Sequence, residues 1–205
     1  MENETSIIIA TKNKGKVKEI WHFLKDLNIN LLSLNDFENL PEIIEDGKNF
    51  KENSIKKAKI IAETFQKLTL ADDSGLEVDF LNGNPGVYSS RYSGENATDK
   101  SNRDKLLSGL AEIKDLNERT ARFVCHLVLW DPQRGLLFET DRFCEGWIGF
   151  EETGSGGFGY DCIFIPKGFN KTMAQLSKDE KNEISHRGKA LKDFTGFINK
   201  NKFLF

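Results

Sequence analysis

The sequence predicts a mixed α/β fold, and three observations carry the prediction. A short β-branched run near the start is followed at once by apolar residues at helical spacing. The second half is dominated by two long stretches of β-formers flanking a turn, and the chain closes on an amphipathic helix. At roughly 150 residues per domain, 205 residues make one domain, or one large domain with two lobes.

Residues 6–10 (SIIIA) read as a strand, and Val17, Ile20, Trp21, Leu24 and Leu27 as the core face of the next helix, a β-loop-α unit. Residues 31–34 read as a second strand, and residues 35–49, with Pro41 and Gly47, as a polar loop. A second helix places Ser54, Ala58, Ile61, Ala62 and Phe65 on one face. Residues 68–71 form a strand that is expected to end at Asp72-Asp73-Ser74-Gly75, because Asp, Ser and Gly favour turns. Residues 76–80 then alternate like a new strand, and Asn82-Gly83 and Asn84-Pro85-Gly86 mark turns. Residues 98–113 are a third helix, carried by Leu106, Leu107, Leu110 and Ile113, with Thr98 or Asn96 as N-cap. Residues 121–130 and 135–147 pair as a long hairpin, residues 162–166 form a further strand, and residues 186–199 are the last helix. No internal repeat or low-complexity linker interrupts this order.

With 32 acidic against 29 basic residues, the net charge of −3 excludes a generally basic nucleic-acid coat but leaves room for a local anion site. Disorder is excluded by 22 aromatic residues (16 Phe, three Tyr, three Trp), too much apolar surface to leave in water. The longest apolar runs, such as residues 7–10 and 127–130, fall far short of a membrane span, and residues 1–6 lack a basic, then apolar, leader. The protein is therefore expected in the cytoplasm, where Cys125, Cys144 and Cys162, an odd number with no CxxC spacing, stay reduced. The Asn-x-Ser/Thr matches at Asn3, Asn96 and Asn170 then carry no glycan.

Four segments could hold chemistry. Thr11-Lys12-Asn13-Lys14-Gly15-Lys16, followed by Lys18, lies between strand and helix, where free helix N–H groups, Thr and Asn donors and lysines suit a phosphate. It is not a Walker A loop, since Val17 replaces the magnesium-holding Ser/Thr; the alternative is a solvated lysine run. Asp72-Asp73-Ser74-Gly75, with Glu42, Glu45 and Asp46, offers hard oxygen ligands of the kind Mg²⁺ takes, or else plain turn chemistry. Residues 154–159 contain a formal GxGxxG, but it opens no helix, so the dinucleotide mechanism fails. What remains is a glycine-rich loop where a base could stack on Phe158, or a β-turn with Phe158 and Tyr160 in the core. Lastly, His186 and Arg187 fall in the first turn of the last helix, where cations are unfavourable without a role or a solvated charge run.

In order along the chain, these segments resemble the inosine triphosphate pyrophosphatase family, which removes non-standard purine nucleotides. The matching blocks are ATKNKGK (10–16) with Glu19, EDG (45–47), FKENSIKKA (50–58), ADDSGL (71–76), PGVYSSRYSG (85–94), GGFGYD (156–161) and ISHRG (184–188), which span nearly the whole chain. The resemblance implies an elongated mixed β-sheet with flanking helices, forming two lobes around a central cleft in one domain over residues 1–205, and a homodimer. It implies cleavage of ITP, dITP or XTP to the monophosphate and pyrophosphate with Mg²⁺, cleansing the nucleotide pool. Thr11, Asn13 and Lys16 within the 11–16 loop would hold phosphates, helped by Lys57 and Ser74. Glu45 and Asp73 would hold metal, Asp73 also taking the proton of the attacking water. Phe158 would stack on the base, and Gly159, Tyr160, Asp161, Lys181, His186 and Arg187 would complete the nucleoside pocket. The chain departs from the family in Cys162, where Pro is usual, which frees φ there, and in Ser54, where Ala is common.

Base choice on this reading needs donors at the purine 6-position. Arg187 and a backbone N–H would be left unpaired facing adenine's amino group, at roughly 1–3 kcal/mol each. The competing readings are a pyrophosphatase of related fold for other modified nucleotides, and a non-catalytic nucleotide-binding module or RNA-binding module using the lysines. The GFGY and ISHRG blocks favour purines, intact Asp73 and Glu45 favour catalysis, and the acidic balance disfavours RNA.

Overall fold

A computed structural model describes residues 5–27 and 29–202. The N-terminal residues 1–4, with Asn3, lie outside the described residues. Six strands form one mixed sheet in the order β2-β1-β3-β4-β5-β6: β1 Ser6–Ile9, β2 Asn30–Ser33, β3 Leu68–Val78, β4 Thr120–Asp131, β5 Gly135–Ile148 and β6 Phe164–Pro166. β1 runs parallel to β2 and β3, with Ile7 opposite both Leu31 and Leu68, whereas β5 and β6 are antiparallel. The helices are α1 Lys14–Leu24, α2 Phe50–Phe65, α3 Asp99–Gly109, α4 Lys178–Ile184 and α5 His186–Lys200. Among the described residues no helix is long and apolar enough to cross a membrane.

The chain divides into two compact units. The first comprises Met1–Asp73, Cys125–Arg142 and Arg187–Phe205. Its strands are apolar on both faces, because each face is covered by helix. Ile7, Ile9, Leu70, Cys125 and Leu127 point to one side, against Ile20 and Leu24 of α1 and Leu191 and Phe194 of α5. Ile8, Ala10, Ala71 and Val128 point to the other, against Ala58 and Ile61 of α2. The strand period of two thus decides which helix each residue of β3 and β4 meets.

The second unit comprises Ser74–Val124 and Phe143–His186. Leu76 and Val78 pack there with Leu106 and Leu110, Phe123, Ile148, Tyr160 and Phe164. Thr98 caps α3 by a reciprocal box with Ser101, as its sequence position predicts. Arg119, 2% exposed, donates to the carbonyls of Leu110, Ile113, Ile148 and Gly149, tying the segment after α3 to the end of β5.

Four expectations are corrected. Residues 72–75 are not a turn: β3 runs unbroken for 11 residues through them, because both aspartates find buried cationic partners that outweigh local turn preference. Trp21, assigned to the core face of α1, is 54% exposed; the buried stripe is Ile20 and Leu24. The third helix stops at Gly109 instead of reaching Ile113, and the last strand is only Phe164–Pro166, so Cys162 lies before it.

Candidate active site

In the first unit, the loop between β1 and α1 is organised by its own side chains. Asn13 caps α1, its Oδ1 accepting from the backbone N–H of Gly15 (2.8 Å) and Lys16 (3.1 Å), while Thr11 Oγ1 accepts from Asn13 N (3.1 Å). No acidic residue occupies the first turn of α1; Lys14 and Lys16 do, against the helix dipole. Lys12, Asn13 and Lys14 are exposed, whereas Thr11, Gly15 and Lys16 are half-buried.

The continuous β3 sends its two aspartates to opposite faces. Asp73 joins α2, where Lys57 Nζ donates to Asp73 Oδ1 (2.9 Å) and to Glu45 Oε1 (2.7 Å). Glu45 is brought there by its loop: Gly47 N donates to the buried Asn53 Oδ1 (2.8 Å), and a Cβ on Gly47 would fall 2.5 Å from that oxygen. Burial raises the Asp73 carboxyl above its ordinary value, outweighing the opposing charges of Lys57 and Lys16. At Lys57 burial works against the charge, but Asp73 and Glu45 prevail and raise it, so the ammonium stays ionised. Thr11, Lys12, Glu45 and Lys57 line one cavity of about 270 Å³, together with the apolar Leu34, Leu40, Pro41 and Ile43.

Asp72 faces α1 and α5. Its carboxylate, wholly buried, accepts from Lys16 Nζ at 2.6 Å and from Arg187 Nε at 2.8 Å, and Cys125 Sγ donates to it at 3.2 Å. Burial alone would favour the neutral acid; the charges of Arg187 and Lys16 override it and hold Asp72 well below the usual carboxylate range. Arg187 also donates from NH1 to Glu19 Oε2 (2.6 Å).

In the second unit, the glycine-rich loop is pinned at its carboxylate. Asp161 Oδ2 accepts from Phe158 N (2.8 Å) and Lys181 Nζ (2.7 Å), and the Lys181 ammonium lies 5.1 Å from the centre of the Phe158 ring. Gly157 adopts φ +71°, and a Cβ there would collide with the Asp161 carboxylate. Gly159 N donates to Asp99 and its carbonyl accepts from Arg103, both at 2.8 Å. Tyr160 is a core residue, its hydroxyl donating to Ser89 O (2.8 Å) and raised by burial. The His186 ring stacks on Phe123 at 4.8 Å and 12°. Ser74, half-buried, follows Asp73 in β3.

The predicted residues therefore gather as two groups, one in each unit. Thr11, Lys12, Asn13, Lys14, Gly15, Lys16, Glu45, Lys57, Asp73 and Arg187 belong to the first, and Ser74, Phe158, Gly159, Tyr160, Asp161, Lys181 and His186 to the second. Sequence reasoning offered Asp72 only as a hard oxygen ligand or a turn residue, named Glu19 only beside a matching block, read Cys125 only as a reduced thiol, and assigned nothing to Asp99 or Arg103. Asp99 and Arg103 could have been found, since they stand four apart on one face of α3 and both hold Gly159.

The model of the Ham1 family matches residues 7–197, which include every block quoted above. This chain belongs to the Ham1 family. A dITP/XTP pyrophosphatase of Oceanobacillus iheyensis is 47% identical over 186 residues, covering 90% of this chain and 93% of that protein. One of Geobacter sulfurreducens is 48% identical over 196 residues, covering 94% and 98%. A Ham1 protein structure from Coxiella burnetii superposes with a TM-score of 0.85 at 39% identity, covering 96% of this chain and 99% of that one. The mixed α/β fold is thus that of Ham1 proteins.

Proposed function

We propose that this Ham1 protein hydrolyses the non-standard purine nucleoside triphosphates ITP, dITP and XTP to the monophosphate and pyrophosphate, keeping them out of nucleic acid synthesis. The observation that carries the reading is the Lys57 centre: two carboxylates on one buried ammonium, with Lys57 and Glu45 lining a cavity shared with Thr11 and Lys12. The relatives are dITP/XTP pyrophosphatases, which supports the substrate class.

Mg²⁺ fits this donor set. Glu45 and Asp73 bring hard oxygens to within 2.7 and 2.9 Å of the same nitrogen, and magnesium usually takes one or two carboxylates with waters and substrate phosphates. No group of three or more His, Cys, Asp or Glu side chains poised for an ion occurs among the described residues, so a two-carboxylate site relies on substrate oxygens. Bound there, magnesium would neutralise phosphate charge and acidify a water.

The chain's own residues do the rest. Lys16, Lys57, Asn13, Thr11 and Ser74 hold the phosphates in line, since phosphoryl transfer is mostly positioning and charge neutralisation. Asp73, whose carboxyl is raised toward the working range of a base, takes the proton as water oxygen bonds to the α-phosphorus and the α–β bridging oxygen leaves with pyrophosphate. Phe158 stacks on the base, with Gly159, Tyr160, Asp161, Lys181 and His186 of the second unit completing the nucleoside site. On the same reading the enzyme is a cytoplasmic homodimer, which sedimentation and fractionation check.

The test is pyrophosphate release from ITP, dITP, XTP and the four common triphosphates, with and without Mg²⁺. Magnesium-dependent release from the first three is expected; release from none leaves only a binding module. In ¹⁸O-water the label should enter the monophosphate, and label in pyrophosphate rules out attack at the α-phosphorus.

A further inference from the structure

Four charged side chains close a ring around the first turns of α1. Lys16 donates to Asp72 (2.6 Å), Asp72 accepts from Arg187 (2.8 Å to Oδ2, 3.4 Å to Oδ1), and Arg187 donates to Glu19 (2.6 Å). Glu19 returns the ring to α1, three residues beyond Lys16 and on the same helical face. The inner pair is sealed, with Asp72 and Arg187 side chains 0% and 3% exposed, while Lys16 and Glu19, at 14% and 19%, reach toward the surface.

We propose that Asp72 is a positioning residue for the triphosphate: it never touches substrate, but aims Lys16 at the phosphates. The inference rests on the reading of Lys16 as a phosphate ligand given above. A free lysine carries substantial rotamer entropy, and a buried carboxylate removes that freedom before substrate arrives. Asp72 would cancel the charge of Lys16 if it had no other partner. Arg187 reaches both its oxygens, so the carboxylate is compensated from the far side and Lys16 keeps its attraction for an incoming anion. Glu19 ties Arg187 back to α1, so the helix carrying Lys16 is held at two points and the loop capped by Asn13 is held with it.

A double-mutant cycle separates positioning from general support, because residues acting through one another are not additive. The readout is the affinity for inorganic tripolyphosphate with Mg²⁺, measured by calorimetry, in wild type, Asp72→Asn, Lys16→Met and the double variant. Asp72→Asn should weaken binding about tenfold in the native background and less than about twofold once Lys16 is Met. Equal weakening in both backgrounds, or none in the native one, overturns the inference. Should Asp72→Asn fail to fold, Glu19→Gln takes its place in the cycle from the ring's outer end: a loss of about threefold that vanishes with Lys16→Met supports the ring, and an equal loss overturns it. Wild-type protein that does not bind tripolyphosphate, or binds it as well with Lys16→Met, removes the phosphate reading and the inference with it. Additivity in a protein that does bind removes the inference alone.

Discussion

Arg119 and Arg187 are buried to the same degree, 2% and 3% exposed, yet the two units treat them oppositely. In the second unit Arg119 meets backbone carbonyls, and burial lowers its affinity for the proton. Burial acts the same way on Arg187 in the first unit, but Asp72 and Glu19 outweigh it and raise that affinity. The difference extends to the neighbours. The first unit places Lys16 and Lys57 on carboxylates, whereas the second pairs Lys181 with Asp161 but also sets it beside the Phe158 ring, and stacks His186 on Phe123. Fixed charge suits a polyanion and a flat apolar ledge suits a base. Changes at Asp73, Lys57 and Lys16 should therefore alter turnover of every triphosphate alike, and changes in the loop around Phe158 should alter only what depends on the nucleoside.

The largest effect is expected from Asp73→Asn. Removing a general base costs about 10²–10⁴-fold in rate, and here the loss should be the same for ITP, XTP and ATP. Pyrophosphate release at saturating Mg²⁺ measures it. A variant that loses ITP turnover but keeps its residual ATP turnover would place Asp73 in base selection and break the division between the units.

Phe158→Ala tests the other side. Base–aromatic stacking is worth about 1–3 kcal/mol, so KM for ITP should rise roughly 5- to 150-fold while affinity for tripolyphosphate stays as in wild type. Weakened tripolyphosphate binding would mean that the loop also serves phosphate. Gly157→Ala sharpens the same point with a smaller change. Its φ of +71° costs an L-residue roughly 1–2 kcal/mol, and the new methyl would push on the Asp161 carboxylate that holds Phe158 N. A rise in KM of about tenfold, in the range that such strain predicts, without loss of kcat is expected from initial rates; an unchanged KM would detach the Asp161 clamp from base binding.

How much of this was legible follows from the reach of each signal. The helices and the long hairpin announce themselves by periods of 3.6 and 2, and the loop residues 11–16 by their place between strand and helix. Ion pairs across the fold have no such spacing: Arg187 and Asp72 are 115 residues apart, and no window of sequence contains both. Missing that pair also misread 72–75, since locally it looks like a turn and only its distant cations make it strand. Trp21 failed for a different reason, because the helical stripe admits it and only the packed core shows that Ile20 and Leu24 are the residues of α1 it buries.

The smallest effect concerns a titratable group that the first unit buries without a full charge partner. His126 in β4 is 1% exposed; its Nδ1 lies 2.6 Å from Ser54 Oγ on α2, and Ser54 Oγ donates to Lys51 O (2.9 Å). A hydroxyl has one hydrogen, so with it on Lys51 O the ring must donate from Nδ1, leaving Nε2 toward Glu139 and Asp141 at 3.7 and 3.8 Å. Burial lowers the proton affinity of the ring, against the pull of Asp141 and Glu139 and with the help of Lys51. The unfolded chain takes this proton near pH 6.5, the folded chain only at lower pH. Between the two values the unfolded state binds more protons, so stability rises with pH: the contribution is complete above about 6.5 and is lost as pH falls toward the folded value. Urea midpoints should fall from pH 7.5 to 5.5 in wild type and fall less in His126→Gln. Parallel curves would show that the ring does not govern this window, and would leave the buried charges of the first unit paired throughout it.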